Sequence, residues 1–380
     1  MIICYTLSIK RKNIFMNISK MLNLCKELFS GKKTFIPLFI LLAAIFLSGC
    51  STKNTAEPVK LTMNNATVIK SEDGGNTWNP KTRIDDKKTI SGINVLSMTV
   101  NQIDPEVVYI GTESNGLFVT EDGGETWTQV NFADKVYNLN FDPHNPNILY
   151  GSGIANGRAQ IYKRLQEGQD WKEIYSEPAG ETIIYSFAVD KNNPQIMYAG
   201  TSSGVIIKST DSGQTWINLE KADGPVVNIV FDAGDSSHIF FGVFQKGILE
   251  TKNGGVNIDN ITKSINAVSN NSKINTLVSD PNLPGVVYAG TDKGIFRREI
   301  DGTWNALNII ESSKNFPIRA IAINPKNSKE IIYSSAKAIY KSVDGGLKWS
   351  IFKLETSKEI SVLRYDHTNT SKIYAGLRSF

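Results

Sequence analysis

An eight-residue unit keeps returning along this chain: SEDGGNTW at 71–78, TEDGGETW at 120–127, STDSGQTW at 209–216 and SVDGGLKW at 342–349. Weaker copies stand at 165–171 (LQEGQDW), 251–258 (TKNGGVNI) and 299–304 (EIDGTW). The six tryptophans of the chain, Trp78, Trp127, Trp171, Trp216, Trp304 and Trp349, all occupy the same closing position of this unit. A second element runs in phase with it, as in NQIDPEVVYIGT from Asn101, DPHNPNILYGSG from Asp142 and DKNNPQIMYAGT from Asp190. Its aromatic marks, Tyr109, Tyr150, Tyr198, Phe240, Tyr288, Tyr333 and Tyr374, lie 41 to 48 residues apart. A unit of this size cannot bury an apolar face alone and has to stack on copies of itself, and about 40 to 50 residues is the length of a four-stranded propeller blade.

Each part of the repeat has a local job. Ahead of the aspartate, apolar residues at every second place, as in Tyr137, Leu139 and Phe141 or Tyr185, Phe187 and Val189, predict a strand with one buried face. Asp-Pro-x-Asn-Pro makes the first hairpin turn, and the Ile- and Val-rich stretch ending in Tyr-x-Gly is the second strand. In the eight-residue box the carboxylates of Asp73, Asp122, Asp211 and Asp344 are placed to accept backbone N–H groups across the turn between strands three and four. The paired glycines supply positive φ there. Trp78, Trp127, Trp216 and Trp349 bring a large ring to bury against a neighbouring strand, with an N–H that needs a partner.

The two ends of the repeat array are halves of one blade. Residues 359–380 supply two strands without a box, and residues 66–79 supply a box with only its last two strands. Joined, they complete a ring of seven, which leaves no sheet edge along the closure. The expected fold is all-β: a seven-bladed β-propeller of four-stranded antiparallel blades over 64–380, closed by both termini and preceded by a leader helix.

The leader is legible on its own. Lys32 and Lys33 precede the run FIPLFILLAAIFL, which leads into Leu47-Ser48-Gly49-Cys50, the order of basic, apolar and small-residue regions in a secretory signal. The tetrapeptide resembles the lipobox of bacterial lipoproteins, which implies cleavage before Cys50 and lipidation of its thiol. Residues 1–50 are thus read as leader, with a start at Met16 or Met21 an alternative to Met1, and the polar stretch 51–63 as a tether. Cys4 and Cys25 fall upstream of the cleavage, so no disulfide, thiol nucleophile or thiolate metal site is expected in the mature chain. The leader also carries seven of the basic residues and one acid, which leaves 34 basic against 36 acidic residues beyond it. The sequence pI near 8.7 therefore belongs to the leader, and no nucleic-acid footprint remains. The expected place is the cell envelope, lipid-anchored on the outer side of the cytoplasmic membrane or in an outer membrane.

At its boxes the chain resembles the Asp-box, or BNR, propellers, a group that includes sialidases, xyloglucanase-type glycosidases, sortilin-type receptors and the photosystem II stability/assembly factor-like proteins. In these families the box is a structural turn, so the resemblance implies no catalytic role for its aspartates. The architecture is most similar to the assembly-factor-like group, which implies a non-catalytic scaffold for another envelope or secreted protein, without a cofactor. Nothing in the Lys-, Asn- and Ile-rich composition points to photosynthesis.

The alternative is a glycan-binding or glycoside-hydrolase propeller. Against it stand only eight arginines beyond the leader, too few for the arginine cluster of sialidases, and one propeller where xyloglucanase-type enzymes use two. Glu113, Asp223, Asp292 and Glu311 could face one opening, but nothing in the sequence pairs any two of them. His144, His238 and His367 fall in first hairpin turns of different blades, read as solvated turn residues, so no metal site is expected. By strand parity the Asp-Pro turns and boxes share one face, and the other face, carried by variable loops, is the expected binding surface. Its candidates are Glu113, Asn115, Arg158, Lys246, Asp292, Lys293, Arg319, Arg364 and Arg378, the arginines foremost because a guanidinium pairs bidentately with carboxylates. Replacing Cys50 by Ala is expected to release the protein from the membrane fraction or leave it unprocessed; unchanged mass and membrane attachment would refute the lipidation.

Overall fold

The computed structural model describes residues 62–166, 170–178, 180–269, 273–310 and 317–380. The leader with Cys50, residues 51–61 of the tether and Glu311 lie outside them. Among the described residues the strands form seven four-stranded antiparallel sheets. Blade one covers 95–130, blade two 135–176, blade three 184–221, blade four 226–260, blade five 274–306 and blade six 320–353. Blade seven joins Glu359–Tyr365 and Ile373–Arg378 to Val68–Ser71 and Asn79–Pro80. Val68–Ser71 runs antiparallel to the last strand, with Val68 opposite Gly376 and Ser71 opposite Ile373. The ring thus closes as the half-repeats at the two ends predict. Among the described residues one short helix, Thr262–Ser269, follows blade four and packs its buried Ile265 beside Trp304.

The first hairpin turn is held by the aspartate that opens it. Asp142 Oδ1 accepts the N–H groups of His144 and Asn145 at 2.9 and 3.1 Å, and its other oxygen takes the Tyr150 hydroxyl. The equivalent Asp190, Asp232, Asp280 and Asp366 are equally buried, which a carboxylate tolerates only when hydrogen-bonded. The boxes sit at the same end. Gly123 donates to Glu106 O and Ser212 to Gln195 O, each a residue of the first hairpin turn in the same blade, and Gly345 donates to Lys329 O near the start of blade six's second strand.

Alternation along the innermost strands departs from the sequence expectation. In six of the seven blades the pairing register skips one residue near the start of the first strand, a β-bulge at Leu96, Tyr137, Tyr185, Val227, Asn275 or Ser361. The buried apolar series is therefore not Tyr137, Leu139, Phe141 but Val136, Leu139, Phe141. Likewise Ile184, Phe187 and Val189 share a cluster that Tyr185 does not join. A bulge re-aims a side chain, and the skipped residues turn into the central channel.

The same position sets the distance between blades. A Cβ on Gly111 would stand 2.6 Å from Val136 Cγ1 and 2.7 Å from its carbonyl, and one on Gly200 would stand 2.6 Å from Val226 Cγ1. The Tyr-x-Gly glycine is thus required by the approach of the next blade. The carbonyl preceding the bulge takes a hydroxyl from the preceding blade in five cases, as where Ser186 donates to Val226 O and Ser361 to Val95 O, both at 2.8 Å, and takes the Gln245 amide at Ile274 O.

Deleting 359–380 is expected to leave Val68–Ser71 unpaired and to give an aggregating protein without a cooperative melt; a soluble, cooperatively melting truncation would refute the closure.

Candidate functional site

The box does what its residues predict, with a third partner that the sequence reading did not include. Asp211 Oδ1 accepts the Thr215 amide at 2.9 Å and the Ser209 hydroxyl at 2.8 Å, Oδ2 takes the Thr215 hydroxyl at 2.5 Å, and Ser209 accepts the Gly213 amide. Asp73 repeats this with Thr77 and Ser71, and Asp122 with Thr126 and Thr120. Hydrogen bonds from the Thr77 side chain and amide hold the Asp73 carboxyl down at about 2, and Thr215 does the same for Asp211, also at about 2. The Lys348 amide lowers Asp344. These carboxylates are fully committed to their turns.

The tryptophans staple neighbouring blades. Trp216 Nε1 donates to Ile174 O, Trp349 to Asn308 O and Trp127 to Lys81 O, all at 2.8–2.9 Å and all on or beside the outer strand of the preceding blade. Trp78 instead turns to Gly75 O of its own box.

At the opposite end the channel opens as a funnel of about 700 Å³. Every inner strand contributes to its wall, including the bulged Leu96, Tyr137, Tyr185, Val227, Asn275 and Ser361. Of the nine candidates, Glu113, Arg319, Arg364 and Arg378 line it. Arg378 pairs with Glu113 at 2.8 Å and Arg319 with Glu359 at 3.3 Å. The ring of Phe380 lies over the Arg319 guanidinium at 3.9 Å, with Arg378 at 5.2 Å. Arg364 donates Nε to Met98 O and Nη1 to Leu363 O; it is exposed to the funnel, and among the described residues it has no carboxylate partner. The Asn94 amide, reinforced by Arg378, holds the Glu113 carboxyl below the usual range.

The remaining candidates are not brought together. Asn115, Lys246 and Lys293 are exposed on loops of that face and Arg158 is exposed at the start of the strand Arg158–Arg164, all outside the funnel, and Asp292 is spent on the Lys273 amide at 2.6 Å. Asp223 lies in a separate crevice with Leu249 and Ile258. His144 and His367 are exposed turn residues as expected, but His238 is not. It is largely buried, with Nε2 2.6 Å from Glu250 and Nδ1 3.6 Å from Asp232, and Arg298 completes the group at 2.9 Å from Glu250. Blade four has an imperfect box, and this ionic cluster ties it to blade five. Tyr137, Tyr185, Lys135 and Phe380 are funnel residues that the sequence reading missed. Their signal was the spacing of the apolar residues, which runs three then two from Val136, Ile184 and Val95 rather than a steady two.

A family model described as Sortilin-Vps10 matches residues 66–166. Xyloglucanase Xgh74A of Acetivibrio thermocellus is 23% identical over 316 residues, which cover 66% of this chain and 37% of the enzyme. The chain thus spans little more than a third of that relative. Among solved structures, the GH74 enzyme of Niastella koreensis superposes with a TM-score of 0.61 at 19% identity, covering 75% of this chain and 51% of that one. YCF48 bound to D1 peptide superposes with a TM-score of 0.57 at 16% identity, covering 78% of this chain and all of YCF48. The fold is that of the Asp-box propellers. These similarities fall on the groups that the repeats resemble.

Because the box carboxyls are depressed relative to an unfolded value of about 3.9, their stabilisation is complete above that range and is lost as pH falls through about 2. The melting temperature is therefore expected to fall steeply between pH 4 and pH 2, by the linkage just stated. Asp211→Asn should lower it at pH 7 and flatten that acid limb; an unchanged limb would refute the assignment.

Proposed function

We propose that this chain is a lipid-anchored, extracytoplasmic propeller that binds an acidic segment of another envelope or secreted protein at the mouth of its channel and catalyses no reaction. The observation that carries this is the composition of the funnel. Arg319, Arg364, Arg378 and Lys135 line it, and Glu113 is the one acidic side chain among its described lining residues. Such a mouth offers charge-assisted donors on a rigid ring. Arg319 and Arg378 are held in place by their ion pairs and by Phe380, so a ligand carboxylate meets ordered guanidinium groups. That YCF48 has been solved bound to a D1 peptide supports a peptide ligand on a propeller of this kind. The leader and Cys50 support the envelope location.

The similarity to xyloglucanases favours a second reading, glycoside hydrolysis. It needs two carboxyl groups about 5 to 9.5 Å apart, one of them a protonated acid. Glu113 is held as the carboxylate, which suits an ion-pair anchor for Arg378 and not a general acid.

Replacing Arg319 and Arg378 with Ala is expected to weaken capture of the partner about tenfold, roughly 1.4 kcal/mol. Arg364→Gln should weaken it further, Arg158→Ala should matter less, and capture should weaken as salt rises. Hydrolysis of xyloglucan or a sialoside that is lost in Glu113→Gln would overturn this reading.

A further inference from the structure

A cleft of about 1080 Å³, larger than the channel funnel, lies between the outer parts of blades one and two. The indole staple is missing at this seam. Blade two has no complete box, and among the described residues no indole hydrogen bond ties Trp171 to blade one as Trp127, Trp216 and Trp349 tie their own seams. Trp171 lies instead on Phe132 at 4.3 Å beneath the buried Arg164 guanidinium, and Phe132 meets the edge of Tyr162 at 5.3 Å. Three aromatic rings thus form the floor.

One wall is a sheet edge. Thr128–Val130 pairs only with blade one's third strand. Residues 128 to 131 all line the cleft in succession; since side chains alternate along a strand, an unbroken run presents its main-chain edge. Outer strands need protection against adding a further strand. Those of blades two, three, four, six and seven carry Lys172, Lys221, Asp259, Lys353 and Pro80 respectively, and that of blade five packs against the helix Thr262–Ser269. Thr128–Val130 has no charge, no proline and no cover among the described residues.

The rim sets the sign of what fits. Glu121 and Asp170 line the cleft, are exposed and have no ion-pair partner among the described residues, whereas the one lining cation, Arg164, is buried against Tyr109 and Trp171. We propose that this cleft takes an extended, basic peptide segment that adds as a fifth strand to blade one, with an apolar side chain on the aromatic floor and lysine or arginine facing Glu121 and Asp170. Main-chain pairing gives such a complex its affinity, and alternate side chains its selectivity.

The test uses the full chain and a labelled hexapeptide alternating lysine and valine, with its uncharged glutamine–valine counterpart as control. Fluorescence anisotropy should show binding of the basic peptide at least tenfold tighter than the uncharged one. Hydrogen exchange should show slowed amides across 128–131 on saturation. Glu121→Lys with Asp170→Lys should weaken the basic peptide at least tenfold, and the milder Glu121→Gln with Asp170→Asn should weaken it in the same direction if the reversal fails to fold. Arg319→Ala with Arg378→Ala should leave it unchanged, which separates this cleft from the channel mouth. No binding, equal affinity for both peptides, unchanged affinity in the acidic-rim variants, protection elsewhere, or displacement by a xyloglucan oligosaccharide would each overturn the proposal.

Discussion

The seams decide this molecule, and at four of them one blade comes close enough to the next for a valine or isoleucine to touch bare main chain: Val136 at Gly111, Val226 at Gly200, Ile318 at Gly290 and Val95 at Gly376. Val136 against Gly111 and Val226 against Gly200 show the contact at its tightest. With the glycine in place the inner strands crowd the axis, and in six of the blades a bulge follows the apolar residue. The bulge then turns a residue such as Tyr137 or Tyr185 into the lumen. Blade spacing, channel width and the identity of the channel wall are therefore one structural fact. The boxes, at the other end, fasten the outside of the ring with turns and indole bonds that cross from blade to blade.

Much of this was legible in the sequence because repetition multiplies a weak signal. One DGG turn says little, but four full copies in phase with Asp-Pro hairpins fix blade number, strand order and closure. What escaped was the phase of the innermost strands. A period-two pattern and a bulged pattern share most of their residues, and Tyr137, Leu139 and Phe141 satisfied the simpler rule. The site was correspondingly half legible. Arg319, Arg364, Arg378 and Glu113 reach the funnel because loop parity placed them on the right face. Loop parity could not separate them from Arg158 or Lys246, since the distance of a loop residue from the axis is set by tertiary packing. His238 escaped for a different reason: its partners Glu250 and Arg298 come from other strands, one of them in the next blade, and no local spacing announces them.

Where the repeat is intact the residues serve the ring; where it fails they are released for something else. Blade two's incomplete box frees Trp171 from stapling duty, an ionic cluster joins blade four to blade five, and the last residues lay Phe380 across two arginines that would otherwise face open solvent. Symmetry makes these departures conspicuous, because six other blades supply the comparison within one molecule.

The strand that completes blade seven has an uneven history during synthesis. Val68–Ser71 is made early, yet its partner Ile373–Arg378 lies roughly 300 residues later. For most of translation only Asn79–Pro80 pairs with it, and its other edge has no ladder to join. The entropic penalty for closing so long a loop rises only slowly with length, so the ring gives up little at equilibrium. Its difficulty is one of timing, since pairing over such separation comes late and leaves an apolar strand waiting. A helper that shields Val68–Ser71, or export in an unfolded state followed by folding of the whole chain at once, would each relieve that wait.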